Sequence, residues 1–459
     1  MTARFTAEEV LKATKGQRIA SGSIEAFTGI STDTRSLTPG ALFVALAGDR
    51  FDGHDFLAAA LRQGAAGFVV SRVPETPLPE AAVFLVEDTR TAYQDLARFH
   101  RSRFGLPVIA VTGSNGKTST KDMIAAILST QLHVLKTEAN FNNEIGLSQT
   151  LLRIDETHQA VVVEMGMRGL GEIAGLAAVA LPTVGVVTNV GETHLERLGS
   201  IENIASAKAE LIEALNKNGA AILNGDDLYV RAMAKKTAAP AKYYGLNPEA
   251  DIRATHITQT AQAVAFDCTA GTESFKVSVP IPGIHNVYNA LAAIAVGLEL
   301  GLTPEAVSQG LARYEPGKMR LNIKQMNGVT VIDDTYNASP LSMAAAIEVL
   351  SSVAKGRKLA AIGDMLELGP AAAAAHAKVG EHLAAIGVEV VFTIGELAGI
   401  AGAAALKQGV PAVIACSTHE EAVRELRRRL LPGDTLLLKG SRGMTMEKLL
   451  NVFATPSED

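Results

Sequence analysis

From Leu106 onward, short runs of β-branched and aliphatic residues recur, each followed by a Gly- or Asn-containing turn and then by apolar residues at helical spacing. A strand that is apolar at every position needs cover on both faces, which a parallel sheet between two helical layers provides. Val108–Thr112 reads as such a strand, residues 118–132 as the helix after it, and residues 160–163, 184–188 and 220–223 as further strands of the same sheet. A second series starts near Val329, with strand candidates at 329–332, 358–362, 388–394, 412–415 and 435–438, separated by Ala- or Leu-rich helical segments.

These two series, in a chain of 459 residues, predict an α/β protein of three domains. Residues 1–104, with short strands at 41–46 and 67–70 and a helix near 91–104, read as a small N-terminal α/β domain. Residues 105–316 read as a central parallel-sheet domain and 317–459 as a Rossmann-like, doubly wound C-terminal domain. Glu315-Pro316-Gly317 is the expected hinge, because proline blocks helix continuation and glycine permits unusual dihedrals. Alanine-rich 371–375 reads as ordinary helix.

A net charge of -6, from 42 basic and 48 acidic residues, offers no broad positive field, so no nucleic acid is expected as partner. Cys268 and Cys416 stand far apart in no metal-ligand spacing, which fits a reducing cytoplasm. Residues 1–15 carry Glu8 and Glu9 and no apolar segment of signal-peptide length. The longest apolar stretch, 173–187, is interrupted by Pro182 and falls short of the roughly 18 residues a membrane span requires. A soluble cytoplasmic monomer without membrane insertion is expected.

The strand Val108–Thr112 runs into Gly113-Ser114-Asn115-Gly116-Lys117-Thr118-Ser119 and then into a helix. Glycines let a backbone approach phosphates, consecutive N–H groups can point inward, and the helix adds its positive end. Lys117 would bridge the β and γ phosphates of ATP and Thr118 would offer its hydroxyl to Mg²⁺. Val111 stands where the general G-x-x-x-x-G-K-[ST] pattern has its first glycine, so the loop is a compact variant. Alone, it specifies only a nucleoside triphosphatase.

Glu164 ends an apolar strand at the carboxyl edge of the sheet, where ligands of open α/β folds gather, and could hold Mg²⁺ opposite Thr118. The next strand ends in similarly polar Thr188-Asn189. His194, in the loop after it, reads more readily as a surface or hydrogen-bonding residue than as a ligand, and its spacing alone does not change that. Lys208 falls on the apolar face of a helix over 201–215, beside Ile204, Ala205, Leu211 and Ile212. Either its stem snorkels to solvent or burial lowers its pKa until the amine can react, and periodicity leaves these readings even.

Together Gly113 to Thr118, Glu164, the Asn189 to Leu195 stretch, Ser206-Ala207-Lys208-Ala209-Glu210 and Gly283-Ile284-His285-Asn286-Val287-Tyr288-Asn289-Ala290 resemble the Mur ligase family. The resemblance implies that Lys208 is carbamylated, becoming an oxygen ligand for a second Mg²⁺ with His194 and Glu164 as neighbours. It implies that Asn289 lies near the adenine, that Arg320, Asp334 and Tyr336 close over the nucleotide, and that Ser31, Thr32, Asp33, Arg35, Asn140 and Asn142 meet a UDP-linked substrate. Three further segments, 32–55, Asp334-Thr335-Tyr336-Asn337-Ala338-Ser339-Pro340 and Gly363-Asp364-Met365-Leu366-Glu367-Leu368-Gly369, point within the family to addition of D-alanyl-D-alanine to UDP-N-acetylmuramoyl-tripeptide. The Asp-Asn-Pro-Arg signature of the diaminopimelate-adding relative is absent. The alternatives are another ligase of the family, diaminopimelate- or lysine-adding or a folylpolyglutamate synthetase, and a non-catalytic nucleotide-binding switch.

Overall fold

The computed structural model describes residues 3–24, 26–48 and 51–454. They form three units, each built on its own main sheet.

In the N-terminal unit, Gln17–Ser21, Ala82–Leu85, Gly67–Val70, Leu42–Val44 and Ile30–Ser31 lie side by side; the first pair is antiparallel and the rest are parallel. The helix Thr89–Arg101 starts earlier than its apolar pattern predicts because Asp88 caps it, accepting from the Arg90 N–H. At its far end the buried Arg101 guanidinium donates to the carbonyls of Ala180 (3.1 Å), Phe104 (2.6 Å) and Leu106 (3.2 Å). These bonds fasten the unit to the central one and satisfy a charge that burial would otherwise penalise.

The central sheet has nine strands, in the order Glu273–Val279, Val264–Ala270, Ile252–Gln259, Ala241–Gly245, Ala220–Asn224, Val184–Val187, Val108–Thr112, Ala160–Glu164 and Val134–Lys136. The seven from Ile252–Gln259 onward pair in parallel, and the first two join by antiparallel pairing, so that Val264–Ala270 runs against the other eight. Val108–Thr112 lies between Val184–Val187 and Ala160–Glu164, so the polar ends of three buried strands converge at one edge. Helices cover both faces, as the continuous apolar runs require. Val108 and Ala110 pack with the helices Glu144–Leu151, Glu172–Ala180 and Ile201–Glu213, while Ile109 and Val111 pack with Lys117–Leu128, Ile284–Glu299 and Pro304–Ala312.

Two expectations change here. The helix predicted over 118–132 stops at Leu128, where the Thr130 hydroxyl takes the Ile127 carbonyl at 2.7 Å and the chain turns back to re-enter the sheet at Val134. The hairpins over 252–279 were not foreseen: their residues alternate between buried and half-exposed, so no continuous apolar run marks them.

The C-terminal sheet runs Asn322–Met326, Val329–Asp334, Thr435–Lys439, Lys358–Gly363, Val390–Ile394, Ala412–Cys416, parallel except for the first strand. That strand is half-exposed and polar, and was likewise not foreseen. Glu315-Pro316-Gly317 lies between the helix Pro304–Ala312 and this sheet. Among the described residues no helix is long and apolar enough to cross a membrane. Cys268 and Cys416 are free and buried.

Candidate functional site

The carboxyl edge of the central sheet opens into a cavity of about 1300 Å³ that the C-terminal unit closes from the other side. Gly116 opens the helix Lys117–Leu128 with φ 81°, and a Cβ there would come within 2.4 Å of the Asn289 amide oxygen, so only glycine lets the loop turn against that side chain. The loop is braced by the next strand's end. Asn115 N–H donates to the Asn189 side chain (2.9 Å), Ser114 N–H to the Asn189 carbonyl (2.9 Å), and the Ser114 hydroxyl bonds both backbone groups of Gly191. Lys117 curls over the loop, with Nζ 2.7 Å from the Gly113 carbonyl. Burial lowers its pKa; Glu164 opposes that shift and Arg320 adds to it.

Glu164 is buried, with one carboxylate oxygen accepting from the Thr118 hydroxyl and the other from the Asn142 amide, both at 2.8 Å. Both donors are neutral, so the carboxylate's charge faces the cavity uncompensated by a direct ion pair. A hydroxyl and a carboxylate meeting beside a phosphate-type loop form a hard oxygen set of the kind Mg²⁺ takes, together with phosphate oxygens and waters.

Lys208 is buried on the helix Ile201–Glu213 and lines the same cavity. Burial pushes its pKa well below the ordinary lysine value and Lys117 pushes the same way; no carboxylate is among the causes. Of its two sequence readings, the snorkelling one therefore gives way to the desolvated amine. His194 lines the cavity as well, its pKa lowered by burial against the pull of Glu367, with Lys117 and Lys208 lowering it further. Lys117, Thr118, Glu164, His194 and Lys208 thus face one space, although among the described residues no three His, Cys, Asp or Glu side chains cluster as a ready-made metal site.

The opposite wall comes from the C-terminal unit. Arg320 stacks on Tyr336, its guanidinium carbon 3.9 Å from the ring centre. Asp334 accepts from Leu321 N–H (3.1 Å) and from the buried Lys439 ammonium (2.5 Å), which also donates to the Asn337 carbonyl (2.9 Å). Ser339 reaches across to the Asn115 side chain at 2.8 Å. Asn289, buried on the helix Ile284–Glu299, bonds Thr120 and Asn286 beside the loop.

Asn140 and Asn142 line the cavity, whereas Ser31, Thr32, Asp33 and Arg35 do not; they form a turn of the N-terminal unit in which Arg35 Nε and Nη2 donate to the Asp33 carboxylate at 3.0 and 2.6 Å. Lys439 was missed by the sequence reading, and Ser339 stood in it only inside the segment 334–340. A lysine ending the apolar run Thr435–Lys439 is the same signal that singled out Glu164; the bond from Ser339 has no sequence signal.

A strand-borne phosphate loop, facing carboxylate and lysines, and a wall of Arg, Tyr and Asp from the C-terminal unit define an ATP-dependent ligase architecture. Family models described as Mur ligase family, catalytic domain, Mur ligase middle domain, and Mur ligase, glutamate ligase domain match residues 26–101, 111–297 and 319–442, and the chain belongs to the Mur ligase family. It is 41% identical over 425 residues, 92% of each chain, to the UDP-N-acetylmuramoyl-tripeptide--D-alanyl-D-alanine ligase of Bacillus subtilis. Its fold matches a crystal structure of MurF from Acinetobacter baumannii with a TM-score of 0.91, 32% identity and coverage of 98% and 99% of the two chains. It also matches a MurF ligase from Thermotoga maritima in complex with ADP, with a TM-score of 0.83, 30% identity and coverage of 93% and 96%.

Proposed function

We propose that this protein uses ATP to join the amine of D-alanyl-D-alanine to the terminal carboxylate of UDP-N-acetylmuramoyl-tripeptide, giving the UDP-linked pentapeptide, ADP and phosphate. The observation that carries the reading is the convergence of Lys117, Thr118, Glu164 and Lys208 on a single cavity whose far wall belongs to another unit. A nucleotide-binding switch would need the loop but would give no reason for a buried lysine beside it. In this reading residues 1–104 hold the UDP end through Ser31, Thr32, Asp33 and Arg35, with Asn140 and Asn142 meeting the same substrate; 105–316 hold ATP, and 317–459 bring in the dipeptide.

A carboxylate is a poor electrophile, so it must be activated. Its oxygen attacks the γ phosphorus, the bond to the β-phosphate oxygen breaks, and ADP leaves an acyl phosphate behind. Lys117 and the loop N–H groups hold the phosphates in line, and Arg320, Asp334 and Tyr336 close over the nucleotide. The free amine then attacks the acyl carbon; the tetrahedral intermediate expels phosphate and gives up a proton, leaving the amide. Closure by the C-terminal unit excludes water that would hydrolyse the acyl phosphate. Two Mg²⁺ ions, when bound, would neutralise charge on the phosphoryl oxygens. Thr118 and Glu164 would hold one; the second would rest on Glu164, His194 and a carbamate that the Lys208 amine forms with carbon dioxide, releasing one proton. The two free, buried cysteines suit a reducing cytoplasm, where the protein would act as a monomer.

Phosphate release with each substrate omitted in turn tests the reading. Release should need ATP, the UDP-linked tripeptide and D-alanyl-D-alanine together; release that ignores the dipeptide overturns it.

A further inference from the structure

The segment 363–369 follows the strand Lys358–Gly363 and reaches the central unit at His194 and Glu196. Three successive residues in it are pinned to the C-terminal unit: the Asp364 carboxylate accepts from Ala398 N–H (2.7 Å), Met365 N–H donates to buried His376 (2.9 Å), and Leu366 N–H donates to the Ser441 hydroxyl (2.9 Å). Glu367 is presented from this platform in the left-handed region, φ 64°, which a non-glycine residue adopts only when its surroundings hold it there. Its carbonyl accepts from Glu196 N–H at 3.4 Å, and its carboxylate meets His194 Nδ1 at 2.5 Å. His194 is itself left-handed, φ 56°. At Gly369, φ 55°, an added Cβ would sit 3.2 Å from the Glu196 Cα, so the loop lies flush on the segment that carries the histidine. Both partners of one contact between units are thus held in sparsely populated backbone states.

We infer that Glu367 is a positioning residue: it fixes the tautomer and orientation of His194, and so makes assembly of the phosphoryl-transfer site conditional on docking of the C-terminal unit. The inference rests on the function proposed above. A carboxylate accepts only, so the shared hydrogen belongs to Nδ1 and the lone pair of Nε2 is left for the cavity that Lys117, Lys208 and Glu164 also line. The orienting group and the oriented group come from different units. With the C-terminal unit swung away, the imidazole loses its partner. ATP would then be committed only when the unit that brings the amine is in place, which limits formation of an acyl phosphate with no acceptor beside it.

The test uses the full chain with Glu367→Ala and Glu367→Gln. Imidazole ¹⁵N spectra of the protein without nucleotide, with His194 assigned by its loss in His194→Gln, should show the Nδ1–H form in the unsubstituted protein and in Glu367→Gln, whose amide oxygen still accepts. In Glu367→Ala they should show a tautomer mixture. Turnover in Glu367→Ala should fall about 10- to 100-fold with KM for ATP within about twofold, the size and split expected when the partner that orients a ligating histidine is lost. An unchanged His194 tautomer in Glu367→Ala overturns the inference, even if turnover falls, because the contact would then be only a latch. The spectra need no substrate, so they read separately from the omission experiment, whose failure would instead sink the ligase reading.

Discussion

Charges in two regions of this molecule carry proposed roles, those of the central unit toward metal ions and those of the N-terminal turn toward substrate, and they are housed in opposite ways. In the central unit Lys208 and Glu164 are 2% and 3% exposed, and burial and a second lysine both push the Lys208 amine toward its neutral form. In the N-terminal turn the Arg35 side chain is 89% exposed and its guanidinium is answered by Asp33 two residues away. An exposed, self-paired ion pair in high dielectric is easily accommodated whether or not it does anything. A buried ammonium without a counter-charge destabilises the fold, so its presence needs a reason that stability does not supply. The burial of a charge, more than its presence in a loop, is therefore the stronger argument for a role in the reaction.

The sharpest way to break that contrast is Lys208→Ala. Turnover should fall by roughly three orders of magnitude or more, the scale of losing a group that stabilises transition-state charge. Short carboxylic acids added to the assay should restore part of it by occupying the vacated space with an oxygen ligand. The melting temperature should change little, since the cost of desolvating the amine goes together with the packing of its stem. Retained turnover would return Lys208 to the structural residues and leave the contrast without content.

How much of the site could be read in advance follows the same divide. Lys208 was legible because it interrupts an apolar helical face, and Glu164 because it terminates an all-apolar strand; both break a pattern that the parallel sheet imposes. The phosphate loop was legible because its chemistry is local. The hairpins over 252–279 and the edge strand Asn322–Met326 were not, because half-exposed strands carry polar residues that dilute the pattern. Glu367 was visible only as part of a motif: its partner lies 173 residues away, and no spacing rule joins two units that meet across a cavity. Asp33 and Arg35 stand in a turn, where charge is ordinary.

A second prediction sharpens the comparison through pH. His285, at the start of the helix Ile284–Glu299, is pushed down to about 4 from 6.5 by burial, with Asp334 pulling it up and Lys439 pushing it down. It is neutral in the fold near neutral pH. Between 6.5 and about 4 the unfolded chain binds a proton that the folded one refuses, so the stability this group contributes is present above 6.5 and is lost as pH falls through that window. His100, lowered by burial as well, acts in the same direction. The urea midpoint should therefore decline from pH 7 to pH 5, and His285→Gln should flatten part of that decline. The exposed turn should contribute nothing in this range: Asp33, whose pKa its bonds to Arg35 lower from 3.8, loses its contribution only in stronger acid. A midpoint that holds steady to pH 5 would mean that the buried side of the cavity admits water freely.

The smallest effect belongs to Arg35→Ala. Because its guanidinium lies in solvent and, among the described residues, pairs with Asp33 alone, the melting temperature should move by less than about 2 °C, as for other surface substitutions outside special contacts. If the turn holds the UDP end, KM for the UDP-linked substrate should rise about tenfold, the worth of one charge-assisted hydrogen bond, with KM for ATP unchanged. Part of that rise would come from the Asp33 carboxylate, left without its partner and facing a diphosphate. Asp33→Asn removes that repulsion and keeps a side-chain oxygen that can accept a hydrogen bond, so it should raise KM less than Arg35→Ala does. Equal KM values in all three proteins would show that the pair is what its exposure makes it on stability grounds, a solvated turn, and would move the nucleotide-sugar contacts to residues around Asn140 and Asn142.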